Sequence, residues 1–350
     1  MIRKRYIGID LHTDNFFACF RDKEDELFSK KYELSQEGFR EFIADLSPYD
    51  IIAVEAVANA PFFKRKILGY VEKIVFVAPG EFHVIGSSYK KTDLNDAGKL
   101  AFYLSKGLLP LAREKSEFHS QLLSMIETRS VLVKARMMAN HKTISILTRQ
   151  GIKLSSHRLI YKGGYQKYVF IHPLDSLMML ELGWLETQVE FLNQKIAEVN
   201  RQIEEMAQSL KGFKNLTSIT GVGVISAAII LCTIGDIHDF SSPKKLASYF
   251  GLVPKVRRSN KNNPTYRITK RGSKLARTAI ITSVWQVIRY NDELKTYYDR
   301  KREFKGGKRA AVATANKLIK VIFDVLKNDC IFEDVSRQRF KKEATAFDFA

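Results

Sequence analysis

Four carboxylates stand where hydrophobic runs stop. Asp10 follows the apolar stretch Tyr6 to Ile9, Glu55 follows Ile51 to Val54, and Asp93 and Asp96 lie three residues apart at a predicted helix start. Spacing of three puts the last two on one helix face. Carboxylates at adjacent strand ends repel each other unless a cation neutralises them. That pattern suits two-metal phosphoryl transfer, with Mg²⁺ (or Mn²⁺ in its place) held by Asp10, Glu55, Asp93 and Asp96. Each acid alone is equally compatible with a helix cap or a solvated charge, and for Asp93 capping would compete with metal ligation.

A second concentration of chemistry lies from residue 255 to 277. The segment KVRRSNKNNPTYRITKRGSKLAR holds nine Lys/Arg in 23 residues and no acid: Lys255, Arg257, Arg258, Lys261, Arg267, Lys270, Arg271, Lys274 and Arg277. A solvated surface is the plain reading of any charge run. Here one-signed charge alternates with Tyr266, Asn260, Asn262 and Asn263, which favours contact with phosphates. The whole chain agrees, since 57 Lys+Arg against 38 Asp+Glu give +19 over 350 residues. So large a surplus points to a polyanionic partner, with DNA or RNA first. Upstream, ITGVG places Gly221 and Gly223 between apolar helices. This is either a helix-hairpin-helix presenting backbone N–H groups to phosphate or an ordinary helix turn.

Other templates are missing from the sequence. There is no GxxxxGK[ST] phosphate loop, no GxSxG and no HExxH. Three scattered cysteines make neither a disulfide framework nor a zinc knuckle, which fits a reducing cytoplasm. The N-terminus reaches an acidic residue too early for a signal-peptide core, and no apolar stretch matches a bilayer span. The expectation is therefore a cytoplasmic protein with no membrane partner.

Three segments must position these groups. Residues 1–115 alternate strand and helix signals in the order β-β-β-α-β-α-β-α, that of a ribonuclease-H-like α/β fold. Residues 116–212 read as helical. In that segment Leu182, Leu185, Val189, Leu192, Ile196, Val199, Ile203, Met206 and Leu210 recur in steps of three and four. Four uninterrupted heptads favour an intermolecular coiled coil through Leu185, Val189, Leu192, Ile196, Val199 and Ile203, over a long helix packed within its own domain. Homo-oligomerisation follows from that reading. Residues 213–340 form a third, mainly helical domain.

Several motifs together resemble the insertion-sequence-110 family of DEDD transposases, which are related to Piv-type DNA invertases. They are GIDLHTDN around Asp10, Glu55 after IIAV, KTDLNDA around Asp93 and Asp96, then ITGVG, YFGLVPKVRRSNKNN and ITKRGSKLAR. Arg129, Arg136 and Asn140 sit at family-like spacing between them. The resemblance covers most of the chain in the right order. It implies a RuvC-like domain of RNase H fold, a coiled-coil middle and a C-terminal transposase domain, with Arg129 and Arg136 among the nucleic-acid contacts.

The resemblance further implies a nucleoid-associated DNA recombinase that excises and inserts its own element. It would bind element ends and target DNA, be guided by a structured non-coding RNA, and assemble from dimers into tetramers. The serine that aligns, eight residues after Gly251, is Ser259. In the family this serine attacks DNA and forms a covalent 5′-phosphoserine, and the DEDD acids with Mg²⁺ complete the site. Arg257, Arg258 and Lys261 would stabilise the charge that develops on phosphorus. Two departures stand out. Asn260 and Lys261, rather than glycine, follow Ser259, which leaves Ser273 in KRGSK as a rival nucleophile. Ala56-Val57-Ala58 also replaces the usual turn after Glu55. A RuvC-like nuclease or junction resolvase using water is the alternative enzyme, and a non-catalytic nucleic-acid-binding oligomer is the alternative class.

Overall fold

The computed structural model describes residues 4–23, 25–78, 93–153, 174–255 and 268–333, and the side chains of Asp93 and Leu94 lie outside the described set. The chain divides into two compact units, Met1–Glu114 and Lys115–Ala350. Together they make a mixed α/β protein with one five-stranded sheet and many helices. No helix among the described residues is long and apolar enough to cross a membrane.

In the first unit, β1 (Tyr6–Leu11), β2 (Asn15–Arg21) and β3 (Glu26–Glu33) form an antiparallel meander. Helix α1 (Gln36–Ala44) follows, with the Ser35 hydroxyl accepting from the Gly38 N–H as its N-cap. Strand β4 (Ile51–Glu55), helix α2 (Ala60–Ile67) and strand β5 (Lys73–Val77) come next, then α3 (Asp93–Ser105). The sheet order is β3-β2-β1-β4-β5, and β4 runs parallel to both β1 and β5. The expected order of elements is therefore present.

Alternation along the strands divides the sheet into two faces. Ile7, Ile9, Phe16, Phe20, Ile52 and Val54 pack with Phe39, Phe42 and Phe63 of α1 and α2. On the opposite face Ala53 packs with Leu100, and Cys19 with Ala97 and Ala101, all under α3. Gly8 makes this second layer possible. A Cβ there would lie 2.0 Å from the Ala97 carbonyl oxygen and 2.4 Å from the Ala101 nitrogen, so α3 rests its backbone directly on β1.

The second unit opens with α4 (Glu117–Arg149) and α5 (Ser176–Gln208), two long helices capped by Ser116 and Asp175. They lie antiparallel against each other. Arg129 Nε donates to Asn200 Oδ1 at 2.5 Å, and Arg136 Nη1 donates to Asn193 Oδ1 at 2.9 Å. These pairs are one heptad apart on both helices and run in opposite senses. The face of α5 expected to meet a second chain therefore meets α4 of the same chain. Leu192, Ile196 and Ile203 are buried there, and Leu185, Val189 and Val199 are half-buried. At one end of the hairpin Ile203 joins Leu122 and Ile126, and at the other Leu182 and Leu185 join Ile146 and Leu147. Within one chain, α4 thus partners the buried part of that seam. Heptad spacing specifies a partner helix, not whose chain supplies it.

Past the hairpin come α6 (Phe213–Thr217), α7 (Val224–Ile234), α8 (Pro243–Tyr249), α9 (Lys274–Tyr290), α10 (Asp292–Lys305) and α11 (Gly307–Lys327). Helix α7 is buried along nearly its whole length and forms the centre of a core shared by α4, α5, α9 and α11. Its Cys232 thiol, like Cys19 in the first unit, is buried. Burial pushes Cys19 up to about 11 and Cys232 up to about 12.

Two substitutions test this packing. Gly8→Ala should destabilise the first unit by at least about 2 kcal/mol in urea denaturation, because the added methyl meets backbone rather than a movable side chain. Ile203→Asp should lower stability by about 4 kcal/mol at every protein concentration, because it buries a charge within one chain. A loss that vanished at high concentration would place the seam between chains instead.

Candidate active site

Strands β1 and β4 are paired up to Ile9 and Val54, so Asp10 and Glu55 come one step further along at neighbouring strand ends. Both continue the alternation of Gly8 and Ala53, and so belong to the face covered by α3. Asp96 precedes Ala97, whose carbonyl lies over Gly8, so the first turn of α3 starts on that same face. The fold thus brings Asp10, Glu55 and Asp96 to one side of the sheet, and the backbone of Asp93 begins the helix.

Local partners hold two of these acids. Asp10 Oδ2 lies 3.3 Å from His12 Nε2, and Asp96 Oδ1 accepts from Lys99 Nζ at 3.0 Å. Among the described residues no three of His, Cys, Asp and Glu are gathered closely enough to hold a metal ion. As a donor set, carboxylate oxygens on one face suit a hard divalent cation such as Mg²⁺.

Two residues at this end were not singled out from sequence. His12, the residue after β1, faces Asp10. Asn59 stands at the N-cap position of α2 without capping it, and its Nδ2 donates to the His12 carbonyl at 2.7 Å. This bond ties the turn after β4 to the turn after β1. Local signals could not reveal it, since Asn59 and His12 are 47 residues apart. The unusual Ala56-Val57-Ala58 turn itself is well hydrogen-bonded, with Ala56 N donating to Val77 O and Val57 N to Glu55 O.

In the second unit, the segment carrying Ser259 is closed by a short stem. Pro254 and Ile268 form an antiparallel bridge, Thr269 N donates to Val253 O at 2.8 Å, and Lys270 N donates to Gly251 O at 3.2 Å. Gly251 (φ 67°) and Gly272 (φ 76°) interlock there. A Cβ on the first would lie 2.1 Å from Arg271 O, and one on the second 2.2 Å from Tyr249 O. Lys270 itself takes φ 56°, a left-handed conformation that a non-glycine residue rarely adopts.

Arg277 holds the stem from behind. Its Nη1 points at three carbonyl oxygens, those of Phe250, Lys270 and Arg271, at 3.2 to 3.4 Å. Its guanidinium thus serves the backbone, whereas Lys255, Lys270, Arg271 and Lys274 are exposed around the stem. Ser259, with Arg257, Arg258, Lys261 and Arg267, lies outside the described residues. Ser273 accepts from the Ala276 N–H at 3.2 Å and caps α9. Gly221 (φ 102°) is explained by packing, because a Cβ there would lie 2.6 Å from Val287 N of α9. Arg129 and Arg136 are committed to the α4–α5 seam, and burial, then Arg136, lowers the Arg129 pKa.

The comparisons with known proteins bear on both units. Residues 213–299 match the family model of the IS116/IS110/IS902 transposases. The transposase of insertion sequence element IS1111A from Coxiella burnetii is 23% identical over 92% of this chain and 89% of its own length. A probable family 20 transposase of Pseudomonas aeruginosa is 25% identical, covering 93% and 98%. The pilin gene-inverting protein of Moraxella bovis is also 25% identical, covering 94% and 98%. Along nearly its whole length the chain is similar to transposases of this kind, and residues 213–299 carry the IS116/IS110/IS902 transposase domain match. Its IS110 family match contains the interlocked Gly251–Arg271 stem and the Arg277 clamp.

The clamp separates a structural arginine from its neighbours. Arg277→Ala should lower the melting temperature, with a loss of about 1–3 kcal/mol from three weakened carbonyl contacts. Lys274→Ala, one turn away and exposed, should leave the melting temperature unchanged in the same calorimetric scan.

Proposed function

We propose that the chain is a DNA transposase or invertase that cuts and rejoins strands through a covalent phosphoserine on Ser259. The observation that carries this reading is the match over 213–299, because it spans the stem from which the Ser259 segment emerges. The strand order β3-β2-β1-β4-β5, with Asp10 and Glu55 at parallel strand ends, supports a RuvC-like, RNase H-type first unit. The capping bond of Ser273 supports Ser259 as nucleophile, because the Ser273 hydroxyl already serves α9.

In this reading the Ser259 oxygen forms a bond to phosphorus as the bond to the 3′ oxygen breaks. The DNA 5′ end stays on the protein, and the serine proton passes to the departing 3′-hydroxyl. Rejoining reverses the step with another 3′-hydroxyl, so the phosphodiester energy is conserved. Asp10, Glu55, Asp93 and Asp96 would hold Mg²⁺, which when bound supplies charge neutralisation at the reacting phosphate. Arg257, Arg258 and Lys261 would add cationic stabilisation, and the exposed Lys255, Lys270, Arg271 and Lys274 would anchor the DNA backbone. Element ends and target DNA, with a structured guide RNA, are the proposed partners. Assembly into dimers and tetramers is supported by apolar side chains left exposed outside the hairpin seam, among them Met138, Trp184 and Phe191.

The test is a covalent-adduct assay in cells carrying the native flanking DNA, with denaturation before detection. DNA should remain on the wild-type protein, and Ser259→Ala and Asp10→Ala should each abolish the adduct, while Ser273→Ala should retain it. Nicked DNA that depends on Asp10 but survives Ser259→Ala would make the protein a nuclease using water.

A further inference from the structure

Tyr297, Arg300, Lys301 and Phe304 fall three, four and seven residues apart on α10, so they share one stripe of that helix. Arg300 and Lys301 lie 5.8 and 5.5 Å from the Tyr297 ring centre, and Lys317 of α11 adds a third cation at 5.1 Å. One acid of this stripe, Glu293, is ion-paired with Lys317. Phe304 is 80% exposed. Helix α10 ends at Lys305, one residue later, and the chain passes through Gly306 (φ 74°) into α11. The turn KREFKGGKR, residues 301–309, surrounds Phe304 with five Lys/Arg and one acid.

We propose that this stripe and turn bind single-stranded nucleic acid, with an unpaired base stacked on Phe304 and phosphates on Arg300, Lys301, Lys305 and Lys308. A nucleotide offers both requirements at once, a flat apolar ring and an anion one bond system away. A duplex offers only the anions, since its base faces are already stacked. Carboxylates of an acidic protein would satisfy the cations but offer Phe304 no ring of their own, whereas every nucleotide carries one. The inference rests on the reading of the protein as a DNA-processing enzyme and deepens it, naming a surface and a strand state that the Ser259 reading leaves open. Apart from Tyr297, its residues lie beyond residue 299, where the family match ends.

The experiment is fluorescence anisotropy on the full chain, with a labelled oligo(dT) and a duplex of equal length. Phe304→Ala should weaken oligo(dT) binding about tenfold, leave duplex binding within about twofold, and leave the salt slope unchanged. Phe304→Trp should restore affinity and show indole quenching by oligo(dT). Arg300→Ala with Lys301→Ala should flatten the slope for the single strand. Phe304 is exposed, so equal melting temperatures are expected, and a thermal scan of each variant checks it. Unchanged oligo(dT) affinity in Phe304→Ala overturns the proposal, as does an equal loss on duplex. So does a Phe304-dependent affinity for polyglutamate that exceeds the one for oligo(dT). The adduct assay stays independent: a wild-type adduct with a silent Phe304→Ala rejects this surface alone, and a Phe304-sensitive affinity without an adduct rejects the Ser259 reading alone.

Discussion

The first unit is arranged around the approach of α3 to Gly8. Because a hydrogen replaces a side chain there, the helix backbone reaches the strand backbone, and Ala97 and Ala101 continue the small surface that permits it. That closeness fixes both where the helix begins and which strand end it overlooks. Asp10 is two residues from Gly8, and Asp96 is next to Ala97, so a steric constraint in the sheet becomes a constraint on where the negative charges lie. The other face, rich in phenylalanine, forms the larger apolar layer of this unit. Phe16 alone meets Tyr32, Phe39, Phe42 and Phe63 at ring separations of 5.0 to 5.9 Å.

The sheet was legible because its signals are local. Alternation marks the strands, Ser35 caps its own helix, and the acids end apolar runs. What escaped is long-range. Nothing near Asn59 announces that its amide reaches the turn at His12, and nothing in ITKRGSKLAR distinguishes Arg277 from the arginines and lysines beside it. In a basic run every cation looks alike until the carbonyls behind one of them are known. The heptads of α5 were legible as a seam but not as to whose helix fills it. Arg129 and Arg136 on one helix, with Asn193 and Asn200 on the other, carried that information as matching steps of seven in reverse order.

The two polar pairs also specify alignment. Leucine and isoleucine seams tolerate sliding by a heptad, whereas a guanidinium facing an amide at two levels does not. A slip of one heptad would keep at most one of the two pairs, and in one direction would set the half-buried Arg129 opposite Ala207. The hairpin is then a strut of defined length, and it enters the same core as α7, α9 and α11 through Leu122, Ile126 and Ile203.

The stem at Pro254 and Ile268 has a consequence for the segment it closes. Both feet of the segment that follows Lys255 are fixed by interlocked glycines and by Arg277, so the frame itself sets where the segment leaves and returns. Closing a longer or shorter loop over fixed feet changes the chain entropy only logarithmically. A change in the length of the segment would therefore leave the frame that presents it intact, at a small cost in chain entropy.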